Sequence, residues 1–587
     1  MPYGLPLSRT TSGSSTLKMH VAALLELIVS LVTANVPKPG DRSVASDWLA
    51  WGIEPRTTSQ SLNYLRSMQE EAAYLLTAVG PTIHLHTQQN AKIAVSRQST
   101  AKYAYLDRNP RPRVISEACF FKNPNSEGIC ALKGKRIEVS TRWKGPEDKS
   151  EEKKYAMGTL KLSTRKGPSP VDAAVVEAAK AKEKILALVG GDPTRFGFQP
   201  APYVRMALIQ AAFEGWNMYA FGARGQRGLV PVDPEFESGM YMAHPDALPR
   251  LFDTLKQLIA AREEKVHGTH YEPKDIYLSP GTTQIANMIY LTLLDPGDEL
   301  VGPEPTYQQY FNYAEIFKTK IVTGRSDENN RWQPDVEELR KRIGDRTKAI
   351  IIVNPNNPTG AVYDEKSLKQ IADLAGEYGL PIISDEIYDQ ITFDVEKSAS
   401  MAEVAKDVPV MVVNGMAKFF MCTGWRVGYL ALHDPEDKIP HVRAMFDKTV
   451  QIAGDVHGVA TPITFAAVKA YENLAEATAH CKKMVSQLRV HRDLVYKRMN
   501  EIPGISCTKP EGAFYAFPKV QGIGKTWADD EEFIAELVRE ERLMLNPGSS
   551  WGPICGPGHF RFVFLPKPAL LDDACDRLER FIKKRLK

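Results

Sequence analysis

The chain has 587 residues, 43% of them hydrophobic and 25% charged. That is the composition of a globular protein with room for about three to four domains. Its net charge of +3 gives no case for a nucleic-acid partner, and no apolar run reaches the length needed to span a bilayer. Seven cysteines, an odd number without metal-type spacing, read as free thiols in a reducing compartment.

Charge is uneven along the chain. Residues 1–156 hold 21 Lys and Arg against 14 Asp and Glu, an excess of +7, so the remainder nets −4. This N-terminal extension, broken by Pro, Ser and Thr, reads as poorly ordered and without chemistry of its own. Helical periodicity shows mainly at Ser61–Ala78. The apolar stretch Val21–Val32 contains Glu26, which suits an amphipathic helix or a disordered lead better than a signal peptide. The expected location is cytoplasmic, with organelle import through this segment as the lesser alternative. Asn109–Arg113 and the mixed-charge run Trp143–Lys154 read as linker, and translation starting at Met157 is an alternative.

From Val171 the texture changes. Val171–Val189 reads as a helix closed by the turn Gly190-Gly191-Asp192-Pro193, and Tyr203–Glu214 as a second helix. A glycine-rich loop, Phe221–Asp246, precedes a third helix at Leu251–Glu264. Strands at Asp275–Leu278, Glu299–Gly302, Lys320–Thr323, Ala349–Val353, Pro381–Ser384 and Val410–Val413 follow. Helices at Thr283–Leu294, Tyr307–Phe317, Val336–Ile343 and Glu365–Tyr378 are interleaved with them. Near-continuous Val, Ile and Leu in alternating strands predicts an α/β fold, a mostly parallel sheet buried between helices. Ligands then bind at the carboxyl ends of the strands. A long helix at about Thr461–Met499 leads into Gly504–Lys587, a smaller α+β domain.

The polar residues cluster just after the strands. Lys418 stands in an almost uncharged run, Asn414–Tyr429, where desolvation lowers an amine's pKa and makes it nucleophilic. Eight residues on, Arg426 supplies a forked cation suited to a phosphate dianion. An imine-forming lysine with a phosphate-holding arginine describes a site for pyridoxal 5′-phosphate (PLP); the alternative for Lys418 is a snorkelling surface residue. Ser279-Pro-Gly281-Thr282-Thr283 opens a helix and is either a phosphate-binding turn or an ordinary N-cap. Asn354-Pro-Asn-Asn357-Pro-Thr-Gly360 is a rigid turn that aims Asn357 at one point. Asp385, at a strand end, can pair with a protonated ring nitrogen or cap a helix. Tyr388, three residues on, has the alternative of a core aromatic.

These motifs, in this order and spacing across roughly residues 160–587, resemble the class I/II aminotransferases of PLP fold type I, and look most like the alanine/tyrosine branch. The resemblance implies a PLP-binding large domain at 251–460. It also implies an N-terminal arm with part of the small domain at 157–250, and a linking helix with the C-terminal small domain at 461–587. It implies that Lys418 is the Schiff-base lysine and the proton-moving base, and that Asp385 holds the pyridine nitrogen protonated. Asn357 and Tyr388 would bond the ring oxygen, and Tyr307 would stack on the ring. Gly281, Thr282, Thr283 and Arg426 would hold the phosphate, with Tyr219 reaching it from the partner of a homodimer. Arg561, in Gly558–Phe564, would grip the substrate α-carboxylate beside Gly191 and Asn357; its alternative is a strand-edge salt bridge. Gly512–Pro518 would be the accompanying small-domain strand.

The implied activity is ping-pong transfer of an amino group between an L-amino acid, alanine or an aromatic one, and a 2-oxo acid such as 2-oxoglutarate. The same motifs also serve C–S β-lyases, decarboxylases and cyclising synthases, and a basic prefix on such a domain is also the plan of certain DNA-binding regulators. Two departures from the family stand out. Gly415 and Ala417 replace the serines many members use for phosphate, which predicts weaker cofactor retention. Phe221–Asp246 is long for its position and holds Arg224 and Arg227, either substrate-reading or merely solvated.

Overall fold

The computed structural model describes residues 128–132, 135–139, 169–217, 248–452 and 458–586. The lead at Val21–Val32, the linkers, the start at Met157, Tyr219 and the Phe221–Asp246 loop with Arg224 and Arg227 all lie outside these residues. Within 1–159, one compact unit of the chain, the described element is an antiparallel hairpin of β1 (Gly128–Leu132) and β2 (Lys135–Val139). The sequence had not suggested it.

The second unit, 160–587, opens with α1 (Pro170–Lys180), β3 (Leu186–Ala187), α2 (Pro202–Phe213) and α3 (Leu248–His267). The expected helix Val171–Val189 therefore stops early. Lys182 takes φ +57°, and the amides of Leu186 and Leu188 donate to the carbonyls of Arg542 and Met544 at 2.8 and 2.9 Å. A strand partner more than 350 residues away overrides the local helical composition.

The central layer is an eight-stranded sheet in the order β4-β11-β10-β9-β8-β5-β6-β7. Its members are β4 (Ile276–Ser279), β5 (Glu299–Glu304), β6 (Lys320–Asp327), β7 (Gln333–Pro334), β8 (Thr347–Val353), β9 (Ile382–Asp385), β10 (Val410–Gly415) and β11 (Gly428–His433). Strands β10, β9, β8, β5 and β6 run parallel. Strand β11, not anticipated, lies antiparallel between β10 and β4. Alternation along the strands sorts side chains into two cores. Ile350, Ile352, Ile382, Val410 and Val412 enter one, and Ile351, Val353, Ile383, Met411 and Val413 enter the other. Both faces are covered, which is why the strands read as unbroken apolar runs.

Between the strands run α4 (Thr282–Leu293), α5 (Gln308–Phe317), α6 (Val336–Arg340), α7 (Glu365–Tyr378) and α8 (Met401–Ala405). In α7 Asp364 accepts the Ser367 amide at 2.8 Å, and Gly379 ends the helix at φ +62°. The expected helix Thr461–Met499 is two helices. After α9 (Pro440–Ile452) come α10 (Thr461–Glu472) and α11 (Leu474–Glu501), broken at Asn473. The Asn473 amide side chain donates to Lys469 O at 3.0 Å, and Tyr203 Oη donates to Asn473 O at 3.2 Å. A polar side chain competing for backbone, plus an outside donor, ends the helix there.

The C-terminal part adds β12 (Ile505–Ser506), β13 (Tyr515–Ala516), β14 (Lys519–Val520), α12 (Asp530–Glu541), β15 (Leu543–Met544), β16 (Asn546–Pro547), β17 (Phe560–Val563) and α13 (Pro568–Arg585). Strand β17 pairs with β13 and β16. Strand β3 pairs with β15 and α1 packs on α12, so residues 170–187 complete this smaller layer. Among the described residues no helix is long and apolar enough to cross a membrane.

Candidate active site

Register brings the polar motifs to one edge of the sheet. Ser279 pairs with Gly428, Gly428 with Gly415, Val413 with Asp385, and Asp385 with Val353. The turns after β4, β8, β9 and β10 therefore open side by side, joined by the residues leading into the antiparallel β11. This is the crevice at strand ends that an open α/β sheet offers a ligand.

At one end of this edge Gly281 (φ +82°) precedes α4 without a side-chain cap; the Gln284 amide donates to Gly281 O at 3.1 Å, which leaves the Thr282 and Thr283 amides to face an anion. A Cβ on Gly281 would collide with the Arg426 guanidinium, and one on Gly428 would meet Thr282 N at 2.6 Å. Glycine at both positions lets Arg426 lie against the turn. Arg426 donates to Thr423 O at 3.1 Å and Thr283 Oγ1 at 3.4 Å. No carboxylate pairs with it among the described residues, so an exposed cation and a row of amides face one point. A Cβ on Gly415 would collide with Val427 O. The close approach of β10 and β11 thus excludes serine there without a backbone shift.

Lys418 lies between the two layers, its Nζ donating to Gly191 O at 2.6 Å and 5.6 and 5.9 Å from the centres of the Phe514 and Tyr388 rings. Burial lowers its amine to about 8; Arg561 and Arg426 add to this, while Asp192 and Asp385 oppose it. Asp385 is buried, and burial raises its carboxyl to about 6 against the Tyr310 hydroxyl, the Ile387 amide and the Lys418 charge. Tyr310 Oη donates to Asp385 Oδ2 at 2.8 Å and Ile387 N to Oδ1 at 3.3 Å. Tyr388 and Tyr515 share a hydroxyl–hydroxyl bond of 2.8 Å. Tyr307 leads into α5, edge-on to Tyr310 and stacked with Trp551.

The small domain contributes Arg561 from β17. Its Nη1 donates to Asn357 Oδ1 at 3.0 Å, and its Nη2 to Asn546 Oδ1 at 3.0 Å and to Val189 O. Its guanidinium lies between the Tyr515 and Trp551 rings, 4.5 and 4.2 Å from their centres. Burial lowers its pKa, its Nε has no partner, and no carboxylate reaches it among the described residues. The alternative of a strand-edge salt bridge finds no partner: the acceptors of this buried guanidinium among the described residues are neutral. A Cβ on Gly191 would run into the Tyr515 hydroxyl.

The structure thus gathers Lys418, Asp385, Tyr388, Asn357, Tyr307, Gly281, Thr282, Thr283, Arg426, Gly191 and Arg561 around one crevice. Tyr310, Tyr515, Trp551 and Asn546 had gone unassigned. Tyr310 is foreshadowed by its i, i+3 spacing from Tyr307, and Tyr515 lies in the Gly512–Pro518 segment. Asn546 and Trp551 carried no sequence signal.

The family profile described as Aminotransferase class I and II matches residues 246–578. The alanine aminotransferase of Mycobacterium tuberculosis is 31% identical over 422 residues, spanning 71% of this chain and 89% of that protein. The glutamate-pyruvate aminotransferase of Escherichia coli is 31% identical over 313 residues, 53% of this chain and 75% of that one. Among solved structures, an alanine aminotransferase from Pyrococcus furiosus superposes with a TM-score of 0.62 at 38% identity, covering 71% of this chain and 96% of that one.

Proposed function

The chain belongs to the class I and II aminotransferases, and on that premise we propose that it is a PLP enzyme whose donor is alanine and whose acceptor is 2-oxoglutarate. Transfer of an amino group between an amino acid and a 2-oxo acid follows from the family; the donor, the acceptor and the residue roles are our reading. The observation that carries it is Lys418, held by Gly191 O at 2.6 Å in the same crevice as Arg426 and Arg561, two arginines that lack a carboxylate partner among the described residues.

The crevice fits PLP. The uncapped Gly281–Thr283 turn with Arg426 suits its phosphate dianion, and Asp385, a carboxylate whose pKa burial has raised, suits a protonated ring nitrogen. When bound, the cofactor supplies an electron sink for the bonds at the substrate Cα. The chain's own residues do the rest. Arg561 binds the substrate α-carboxylate through Nε and whichever Nη is freed from its neutral acceptors. Asn357 and Tyr388 orient the ring oxygen, with Tyr515 holding the Tyr388 hydroxyl, and Tyr307 covers a ring face. Lys418, neutral in part near pH 8, takes the proton from the substrate Cα and returns one on the other side of the cycle.

Alanine is favoured by the names of the relatives. A homodimer completed by Tyr219 belongs to the same reading, as does a cytoplasmic location, in keeping with the free thiols at Cys422, Cys481, Cys507, Cys555 and Cys575. A screen of amino donors against 2-oxoglutarate, followed by the cofactor's absorbance and by product analysis, tests it. Alanine should lead and glutamate should accumulate; release of ammonia or carbon dioxide instead would overturn it.

A further inference from the structure

We infer that Glu304 is a positioning residue: it latches the loop that carries Trp551 onto the sheet edge and so holds the stack around Arg561. Glu304 ends β5 and is fully buried. Among the described residues no cation pairs with it. One oxygen, Oε1, accepts the consecutive amides of Ile554 and Cys555, and the other, Oε2, accepts the Thr323 hydroxyl at 2.5 Å. A carboxylate oxygen that faces two successive N–H groups fixes the loop's position as well as its distance.

The loop is shaped for this contact. Gly552 has φ +141°, and any Cβ there would strike the Glu304 carboxyl. Next to it Thr306 N donates to Trp551 O at 2.9 Å, and Asn356 Nδ2 donates to Pro305 O at 3.2 Å. Trp551 is thereby pinned between Tyr307 and the Arg561 guanidinium. The chain of contact runs from Glu304 through Ile554 and Cys555 to Trp551, and from Trp551 to Arg561. Lengthening or breaking the first link lets the indole drift, and the guanidinium loses the plane it lies on.

This inference rests on Arg561 being the α-carboxylate clamp. In the cofactor-loaded enzyme, Glu304→Ala and Glu304→Asp should each raise KM for donor and acceptor about tenfold, the scale of one lost charge-assisted hydrogen bond. The kcat and the cofactor affinity, titrated by absorbance, should stay near wild type. Glu304→Gln, which keeps an acceptor oxygen for both amides, should behave as wild type. Hydrogen exchange at the Ile554 and Cys555 amides should speed up in the Ala and Asp variants and not in Gln. If Glu304→Ala does not fold, the Asp and Gln variants carry the comparison. An unchanged KM in Glu304→Asp, or equal impairment in Glu304→Gln, overturns the latch. Arg561→Gln separates the two readings. If it leaves KM unchanged, the clamp itself falls; if it raises KM while Glu304→Asp does not, only the latch falls.

Discussion

Two aspartates at and just after the end of β9, Asp385 and Asp389, are both buried, and their pKa values move in opposite directions. Asp389 belongs to a closed ionic cluster. Arg262 reaches Glu263 at 2.5 Å and also Asp389, His267 Nε2 lies 3.1 Å from Asp389, and Tyr429 donates to Glu263. Burial pushes the Asp389 carboxyl up, but Arg262 and His267 outweigh it and hold it at about 2. Asp385 faces the crevice with a tyrosine hydroxyl and one amide, and burial wins, at about 6. The paired cluster anchors the turn. The unpaired edge, with Asp385, Lys418, Arg426 and Arg561, keeps its charges uncompensated for a ligand.

The largest effect that could break this contrast is at Lys418. Lys418→Ala should lower kcat by on the order of 10^2- to 10^4-fold while leaving unfolding free energy unchanged or raised, because an amine whose charge is disfavoured by desolvation is removed. A loss of stability equal to that of a cluster mutant would erase the distinction. In the cluster, Asp389→Asn takes from the buried Arg262 one of its two carboxylate partners, leaving Glu263, and should cost about 3 kcal/mol in denaturant unfolding, with PLP still taken up by whatever fraction folds.

A third test uses pH. A carboxyl raised from 3.8 to about 6 in the folded state binds its proton more tightly there than in the unfolded chain. Its contribution therefore favours folding at pH 4 and is lost as pH rises toward 6, by on the order of 3 kcal/mol. Glu386, raised to about 7 mainly by burial, slopes the same way. Cofactor-free Asp385→Asn should keep the Glu386 part of the slope and lose the Asp385 part, and PLP should flatten the wild-type slope below pH 6 by placing a protonated ring nitrogen beside Asp385. Identical pH-stability curves for wild type and Asp385→Asn would remove Asp385 from the uncompensated set. The smallest effect is at the phosphate end. Ala417→Ser should tighten PLP retention about threefold, the scale of one partly exposed neutral hydrogen bond, whereas Gly415→Ser should weaken it because its Cβ strikes Val427 O.

The strands from β4 to β10 other than the two-residue β7, and the helices between them other than the short α8, were legible because burial on both sheet faces writes unbroken apolar runs, and the site's polar residues follow those runs at once. What was missed lacks a local signal. Strand β11 begins directly after the Lys418–Arg426 run and was read as part of it. The helix over Val171–Val189 was overextended because its Ala, Lys and Glu content favours helix, and only the distant Arg542–Met544 backbone turns residues 186–187 into strand. Asn473 breaks a helical pattern that periodicity carries straight through.

The order of residues alone determined which groups could do chemistry: an amine in an apolar run, a carboxylate at a strand end, and an arginine eight positions beyond the amine. It did not determine what those groups would lack. That Arg561 lies between two aromatic rings with only neutral acceptors, or that burial raises the Asp385 carboxyl while Arg262 and His267 lower that of Asp389, depends on partners brought in from distant segments. Charge compensation is a property of three-dimensional neighbours, and folding chose which charges were matched from within.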